Sequence, residues 1–256
     1  MNRSIVARAY YNHFNITSKK LPNQYRVYNR DGILAYKFPE DSMYLNLVWA
    51  NKITHPDIIR KVDKSFYKQT PHCWMINEED QESVFNAIAA GLIKTDPFYE
   101  MVYDINSSSI IEINKTTLSH IKEIRTDDEL KEWCDVFSKG YQVHTAEYIY
   151  GYKSGVHNAS CPYTVIGYNK DNKAVCTGQI YISGGYACII GISTLEEERG
   201  KGYSREINLH LIEYAKRNGC KLVALNSLPN VQEFYLKLGF KIYSKDWGFV
   251  HQKYCT

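Results

Sequence analysis

The stretch from Ile189 to Ser204 constrains this chain most. An apolar run, Ile189 to Thr194, passes through Glu196, Glu197 and Glu198 into Arg199-Gly-Lys-Gly202 and then into residues with helical spacing. Gly200 and Gly202 lack a Cβ, so the backbone can turn tightly there and aim successive N–H groups into one concavity. A helix predicted from Tyr203 to Asn218 brings unpaired N–H groups and the positive end of its dipole to the same spot. Arg199 and Lys201 add formal charge. The combination suits a pyrophosphate better than a lone carboxylate. The same tetrapeptide also suits an ordinary strand-to-helix turn with solvated charges, so the elements around it must decide.

At 256 residues, 44% hydrophobic and 23% charged, the chain reads as a soluble globular protein of one large domain or two modest ones. A net charge of +3 without a dense Lys/Arg cluster argues against a nucleic-acid partner. The seven cysteines are scattered and show no Cys-x-x-Cys or Cys/His ligand spacing. That pattern predicts reduced thiols, no bound metal and a reducing, cytoplasmic compartment, either bacterial or the cytosol of a host. The start has no long apolar segment and no apolar run reaches membrane-spanning length, so neither a signal peptide nor a membrane partner is expected. No feature favours a particular oligomeric state.

Along the first half, a helix is predicted at Val6 to Phe14 and a strand at Tyr44 to Ala50. His55 and Pro56 open a helix to about Lys68, with Ile58, Val62 and Phe66 as its buried stripe. His72 to Ile76 is a short strand, Asn77 can cap a helix ending at Gly91, and Phe98 to Tyr103 is a strand after a loop containing Pro97. The order is β-α-β-α-β. Asp104 to Ser109, rich in Asn and Ser, is a plausible linker.

The second half opens with a strand at Ile110 to Ile113 and a helix from Asp127 to Tyr141 capped by Thr126, with Leu130, Trp133, Val136 and Phe137 inward. Gln142 to Asn158 is polar and aromatic, a candidate substrate loop. Tyr163 to Tyr168 and Lys173 to Ile182 read as a hairpin, followed by the strand Ala187 to Thr194 and a helix burying Ile207, Leu211 and Ala215. Lys221 to Leu225 is a central strand, Asn230 to Leu238 a helix ending at Gly239, and Phe249 to Tyr254 a last strand.

On these residues the second half resembles the GNAT superfamily of acetyl-coenzyme-A-dependent N-acetyltransferases. Its Arg/Gln-x-x-Gly-x-Gly/Ala signature stands here as Arg199 to Ser204, with Ser204 where the family prefers Gly or Ala. A second element, an aromatic-Tyr pair followed by Gly-Phe, appears as Phe234 to Phe240. The resemblance implies an α/β (α+β) fold of two GNAT-like lobes, each a mixed, mainly antiparallel sheet with a central splayed parallel pair flanked by helices. Residues 1–109 would be a degenerate lobe and 110–256 the catalytic domain. It further implies acetyl-CoA as acyl donor, an amine acceptor and no metal. The pyrophosphate would lie on Arg199, Gly200, Lys201, Gly202, Tyr203 and Ser204, the rest of the coenzyme along Ile192, Ser193, Thr194 and Asn226. Tyr235 matches the tyrosine that often protonates the departing thiolate.

A neutral amine must lose its proton before it attacks a thioester. Many relatives use a Glu on the strand before the phosphate turn, but Ala187 to Thr194 carries no carboxylate. Glu196, Glu197 and Glu198 read as a solvated acidic turn, and His144 and Glu147 are the alternative bases. No covalent acyl-enzyme is needed, so the cysteines have no nucleophilic role. The cluster of Tyr148, Tyr150 and Tyr152 reads as packing or interface surface, with a cage for a cationic amine as the sharper alternative.

The first half resembles the N-terminal half of tandem GNAT proteins. Aligning Gly91 with Gly239 places Ala87 at Tyr235 and Asn51 at Arg199, and residues 50–56 contain no glycine. A structural lobe that does not hold coenzyme A in the usual way is expected. The competing readings of the whole chain are a non-catalytic acyl-CoA-binding or scaffold protein and a partner-binding protein.

Overall fold

The computed structural model describes residues 4–20, 26–37, 46–107, 117–142 and 162–254. In chain order they form α1 (Ile5–Lys20), β1 (Arg26–Arg30), β2 (Ile33–Lys37), β3 (Leu47–Ala50), α2 (Pro56–Val62), β4 (Cys73–Asn77), α3 (Gln81–Ala89) and β5 (Leu92–Asp104). Then follow β6 (His120–Glu123), α4 (Asp127–Tyr141), β7 (Tyr163–Tyr168), β8 (Ala174–Ser183), β9 (Tyr186–Thr194), α5 (Tyr203–Arg217), β10 (Leu222–Ser227), α6 (Gln232–Lys237) and β11 (Lys241–His251). One packed unit comprises Met1–Met101, Asn226–Leu236 and Lys241–Thr256, the other Val102–Leu225 and Lys237–Phe240.

The first unit orders its strands β1-β2-β3-β4-β11-β5. β3 and β4 are parallel, joined by α2 and a π-helical turn (Asp63–Tyr67). β11 completes the sheet antiparallel to β4, with Trp74 opposite Phe249 and Asn77 opposite Asp246. The core packs Ile59, Val62 and Phe66 against Val48, Trp74, Ile76 and Phe249.

In the second unit the order is β10-β9-β8-β7-β6, antiparallel except for the parallel pair β9 and β10. That ladder joins Tyr186, Ala187 and Cys188 to Leu222, Val223 and Ala224, whereas β9 continues to Thr194 and β10 to Ser227. Two helices pack on this sheet. α4 begins at a capping box in which Thr126 accepts from the Glu129 N–H and Glu129 accepts from the Thr126 N–H. Lys122 and the N–H groups of Arg125 and Thr126 hold the Glu129 carboxyl down at about 2. The buried stripe of α4 is Leu130, Trp133, Cys134 and Val136, and the Trp133 indole donates to Val165 O at 3.1 Å. α5 lies close on β8 at Gly178, where a Cβ would meet Ile207 Cγ2 at 2.5 Å.

The mixed α/β architecture agrees with the sequence expectation, and several local expectations change. α1 runs on to Lys20 rather than stopping at Phe14, and the hairpin β1–β2 and strand β6 were unforeseen. Asp80, not Asn77, caps α3: its carboxylate accepts from the Ser83 N–H at 3.1 Å, while the Asn77 side chain accepts from the Glu79 N–H and donates to Asp246. Pro97 sits inside the continuous strand β5 instead of a loop. Thr95 and Phe98 on that strand cover Gly248, and a Cβ there would stand 2.3 Å from Thr95 Oγ1. The last strand spans Lys241–His251, earlier than Phe249 to Tyr254, because residues 252–254 turn into a single 3-10 turn. The expected strand at Ile110 to Ile113 lies outside the described residues, as does most of the candidate loop after Gln142.

Candidate functional site

The site in the second unit is built where β9 ends and α5 begins. Near its end β9 bulges: Thr177 pairs with Ser193 and Gln179 with Ile190, so Gly178 alone faces both Gly191 and Ile192. Gly191 takes φ +65°, and the Trp133 ring packs 3.1 Å from where its Cβ would be, so a side chain there is strained on two counts. Thr177 Oγ1 donates to Gly191 O at 2.8 Å and fixes the bulge. The distortion re-aims Ile192, Ser193 and Thr194 at the point where β9 outruns its ladder with β10.

A single 3-10 turn, Glu196–Glu198, then carries the chain to Gly200 at φ +79° and Gly202 at φ +90°. Both glycines occupy the left-handed region that a side chain disfavours. Among the described residues a Cβ at Gly200 would meet nothing within 4 Å, and one at Gly202 would meet only Thr117, at 3.7 Å. Gly202 is the N-cap of α5 and supplies no side-chain acceptor, so the first N–H groups of the helix face a cradle without a cap of their own. Open space beside two positive-φ glycines at a helix start fits a pyrophosphate group.

The formal charges of the turn are engaged within the protein. The Arg199 guanidinium donates to Gly140 O at 2.7 Å, at the C-terminal end of α4, where a cation is favoured by the helix dipole. Lys201 Nζ pairs with Glu198 at 2.7 Å, Lys173 with Glu197 at 2.9 Å, and the Glu196 carboxylate accepts from Gln142 at 3.1 Å. The three glutamates therefore brace the turn. Both cations of the turn are thus held by partners within the protein. Ser204 Oγ lies 2.7 Å from Thr194 Oγ1, so the serine that replaces Gly or Ala ties the strand end to the first turn of α5.

Two features of the site had no signal in the sequence. Glu206, buried in the first turns of α5, accepts from the N–H and hydroxyl of Thr117 and from the Leu118 N–H, anchoring the segment before β6 beneath the turn. The Arg199–Gly140 contact likewise joins residues 59 positions apart. Gly191, by contrast, was detectable: an isolated glycine inside an apolar strand marks a bulge.

Tyr235 lies on α6, buried, with its ring 5.0 Å from Phe234. It and Asn226, on β10, belong to the segment grouped with the first unit. His144, Glu147, Tyr148, Tyr150 and Tyr152 lie outside the described residues. The five described cysteines are buried and not joined in disulfides, and burial pushes the Cys73 thiol up to about 12 and raises those of Cys176 and Cys220. Such thiols are poor nucleophiles. In the first unit the residues aligned with the Arg199–Ser204 turn lead into a capped helix: the His55 side chain caps α2 by accepting from the Asp57 N–H at 3.2 Å, and Pro56 fills the first helical position. No helix among the described residues is long and apolar enough to cross a membrane.

Residues 119–240 match the model of the acetyltransferase (GNAT) family. No curated protein sequence matches the chain. A GCN5-related N-acetyltransferase from Kribbella flavida superimposes with a TM-score of 0.69 at 13% identity, over 98% of this chain and 97% of that one. A functionally unknown conserved protein from Staphylococcus epidermidis gives a TM-score of 0.65 at 12% identity, over 93% and 98%. A tandem GNAT protein from the clavulanic acid biosynthesis pathway gives 0.62 at 11%, over 97% and 95%. These likenesses extend the shared fold to nearly the whole chain, and residues 119–240 form a domain of the acetyltransferase (GNAT) family.

Proposed function

We propose that the chain is an N-acetyltransferase that passes the acetyl group of acetyl-CoA directly to an amine, with the chemistry in residues 110–256 and a first lobe, 1–109, that does not hold the coenzyme. The observation that carries this reading is the bulged end of β9 leading into an uncapped helix start through two positive-φ glycines. A solved relative described as a tandem GNAT protein "without AcCoA" supports the choice of donor.

In this reading the pyrophosphate accepts from the N–H groups of Arg199, Gly200, Lys201, Gly202, Tyr203 and Ser204. The pantetheine arm runs along Ile192, Ser193 and Thr194, with Asn226 assigned to the same coenzyme. Backbone groups of β9 beyond the ladder are then free to bond the arm and, near Thr194, to hold the oxyanion. The amine nitrogen attacks the thioester carbon, the C–N bond forms, the C–S bond breaks, and Tyr235 returns a proton to the leaving thiolate. β9 offers no carboxylate, and His144 and Glu147 are the alternative bases for the amine.

The test is release of free coenzyme A thiol from acetyl-CoA in the presence of small amines, peptides and aminoglycosides. Tyr235→Phe should lower turnover about 10²-fold with coenzyme affinity retained, in the range of a lost general acid. Equal turnover by wild type and Tyr235→Phe would remove Tyr235 from the mechanism. The absence of a carboxylate on β9 also favours a second reading, a coenzyme-binding protein without turnover. Tight acetyl-CoA binding with no thiol release on any amine would establish it.

A further inference from the structure

We propose that Asp63, His72 and His251 form a binding site for a divalent first-row metal ion, with Zn2+ as its natural occupant. The three side chains come from the π-helical turn after α2, the residue before β4 and the last residue of β11, all in the first unit. One ligand atom from each lies within 4.8 Å of the others. His72 Nε2 stands 2.7 Å from Asp63 Oδ1 and His251 Nε2 stands 2.7 Å from Asp63 Oδ2.

The surroundings are those of a ligand set. His72 Nδ1 lies 2.8 Å from Thr70 O, and a carbonyl oxygen only accepts, so Nδ1 carries the proton. In a neutral ring this leaves the Nε2 lone pair facing the Asp63 carboxylate, an arrangement that a metal ion bound to both groups, or a second proton on the ring, satisfies. A backbone carbonyl that fixes the tautomer of a histidine is the usual outer partner of a metal-bound imidazole. The Trp74 indole N–H holds Asp63 Oδ1 at 3.1 Å, leaving Oδ2 as the ligand oxygen, and the Tyr67 ring stacks on His72 at 4.0 Å. His72 is 1% exposed, whereas the His251 side chain is 29% exposed, which gives an ion a way in and leaves the fourth position to water.

Two imidazoles, one carboxylate and a water suit tetrahedral Zn2+. With bonds of about 2.0 Å the ligand atoms stand about 3.3 Å apart, so His251 Nε2 and Asp63 Oδ2, now 2.7 Å apart, must part by about 0.6 Å on binding. The spacing of the ligands, 9 and 188 positions from Asp63, is why no sequence motif announces them. A bound ion would fasten the end of β11 to the start of β4.

Tag-free full-length protein, stripped with a chelator and titrated with ZnCl2, tests this. Wild type should take up one Zn2+ per chain and unfold at a higher temperature with it, and Co2+ in its place should give the visible absorption of a four-coordinate site. His251→Ala, at a partly exposed position, should keep its circular dichroism, bind Zn2+ at least about tenfold more weakly and lose the thermal shift. His120→Ala in the second unit should behave as wild type. No uptake by wild type, the result for a cluster bridged by protons alone, would overturn the proposal, as would equal uptake by wild type and His251→Ala.

Discussion

At Gly191 the backbone sits at φ +65° and the Trp133 ring lies 3.1 Å from the place a Cβ would take. Gly191→Ala must therefore strain the bulge and push the indole, at a cost of about 1–3 kcal/mol. The urea midpoint should fall and the Trp133 emission should shift; an unchanged midpoint would mean that the bulge relaxes freely. Asp246 makes a pH-dependent prediction. Burial, with Glu78 adding repulsion, pushes its carboxyl up to about 6 against the opposing hydrogen bond from Asn77. A carboxyl raised in the folded state favours folding below its ordinary value of 3.8, and that contribution is lost as pH rises through about 6. Glu100, also raised by burial, adds in the same direction. Asp246→Asn should remove about 2–3 kcal/mol of the fall in stability between about pH 4 and pH 7, measured by chemical denaturation. An identical pH profile for the variant would place the titration elsewhere. At this scale the sequence disclosed residues whose type restricts the backbone, Gly200 and Gly202 above all. It hid the roles of Glu206 and Arg199, whose partners Thr117 and Gly140 are brought near only by folding.

Among the elements, α4 and α5 were legible almost to the residue because each combines a helical apolar stripe with a terminal signal. For α4 that signal is the box of Thr126 and Glu129, and Thr126→Ala should cost about 1 kcal/mol, read as a lower melting temperature. No loss would show that the acidic first turn, Asp127 to Glu129, suffices. α2 and α5 start alike in the order of strands but differ in chemistry: His55 caps one, and Gly202 leaves the other open. The strand ends were read least well. Pro97 signals a break, yet β5 continues through it, and β11 begins in Lys241 to Tyr243, which are all exposed and so show no alternation of buried and exposed faces. Short strands such as β1 and β6 are fixed by the partner they pair with rather than by their own residues.

The whole molecule repeats one pattern, a parallel strand pair bridged by a helix, in both units, as β3-α2-β4 and β9-α5-β10. The recurrence was visible in the sequence through Gly91 and Gly239; the strand membership was not. β11, last in the chain, lies in the sheet of the first unit beside β4, a long-range pairing that no local signal encodes. In the proposed function the open start of α5 holds the coenzyme pyrophosphate. Calorimetric titration of acetyl-CoA into wild type and Gly202→Val tests it most directly, because a branched side chain at φ +90° both strains the turn and fills the cradle. One site per chain in wild type, weakened at least about tenfold in a Gly202→Val variant of unchanged circular dichroism, is the predicted result. Equal affinity in the two proteins would contradict it.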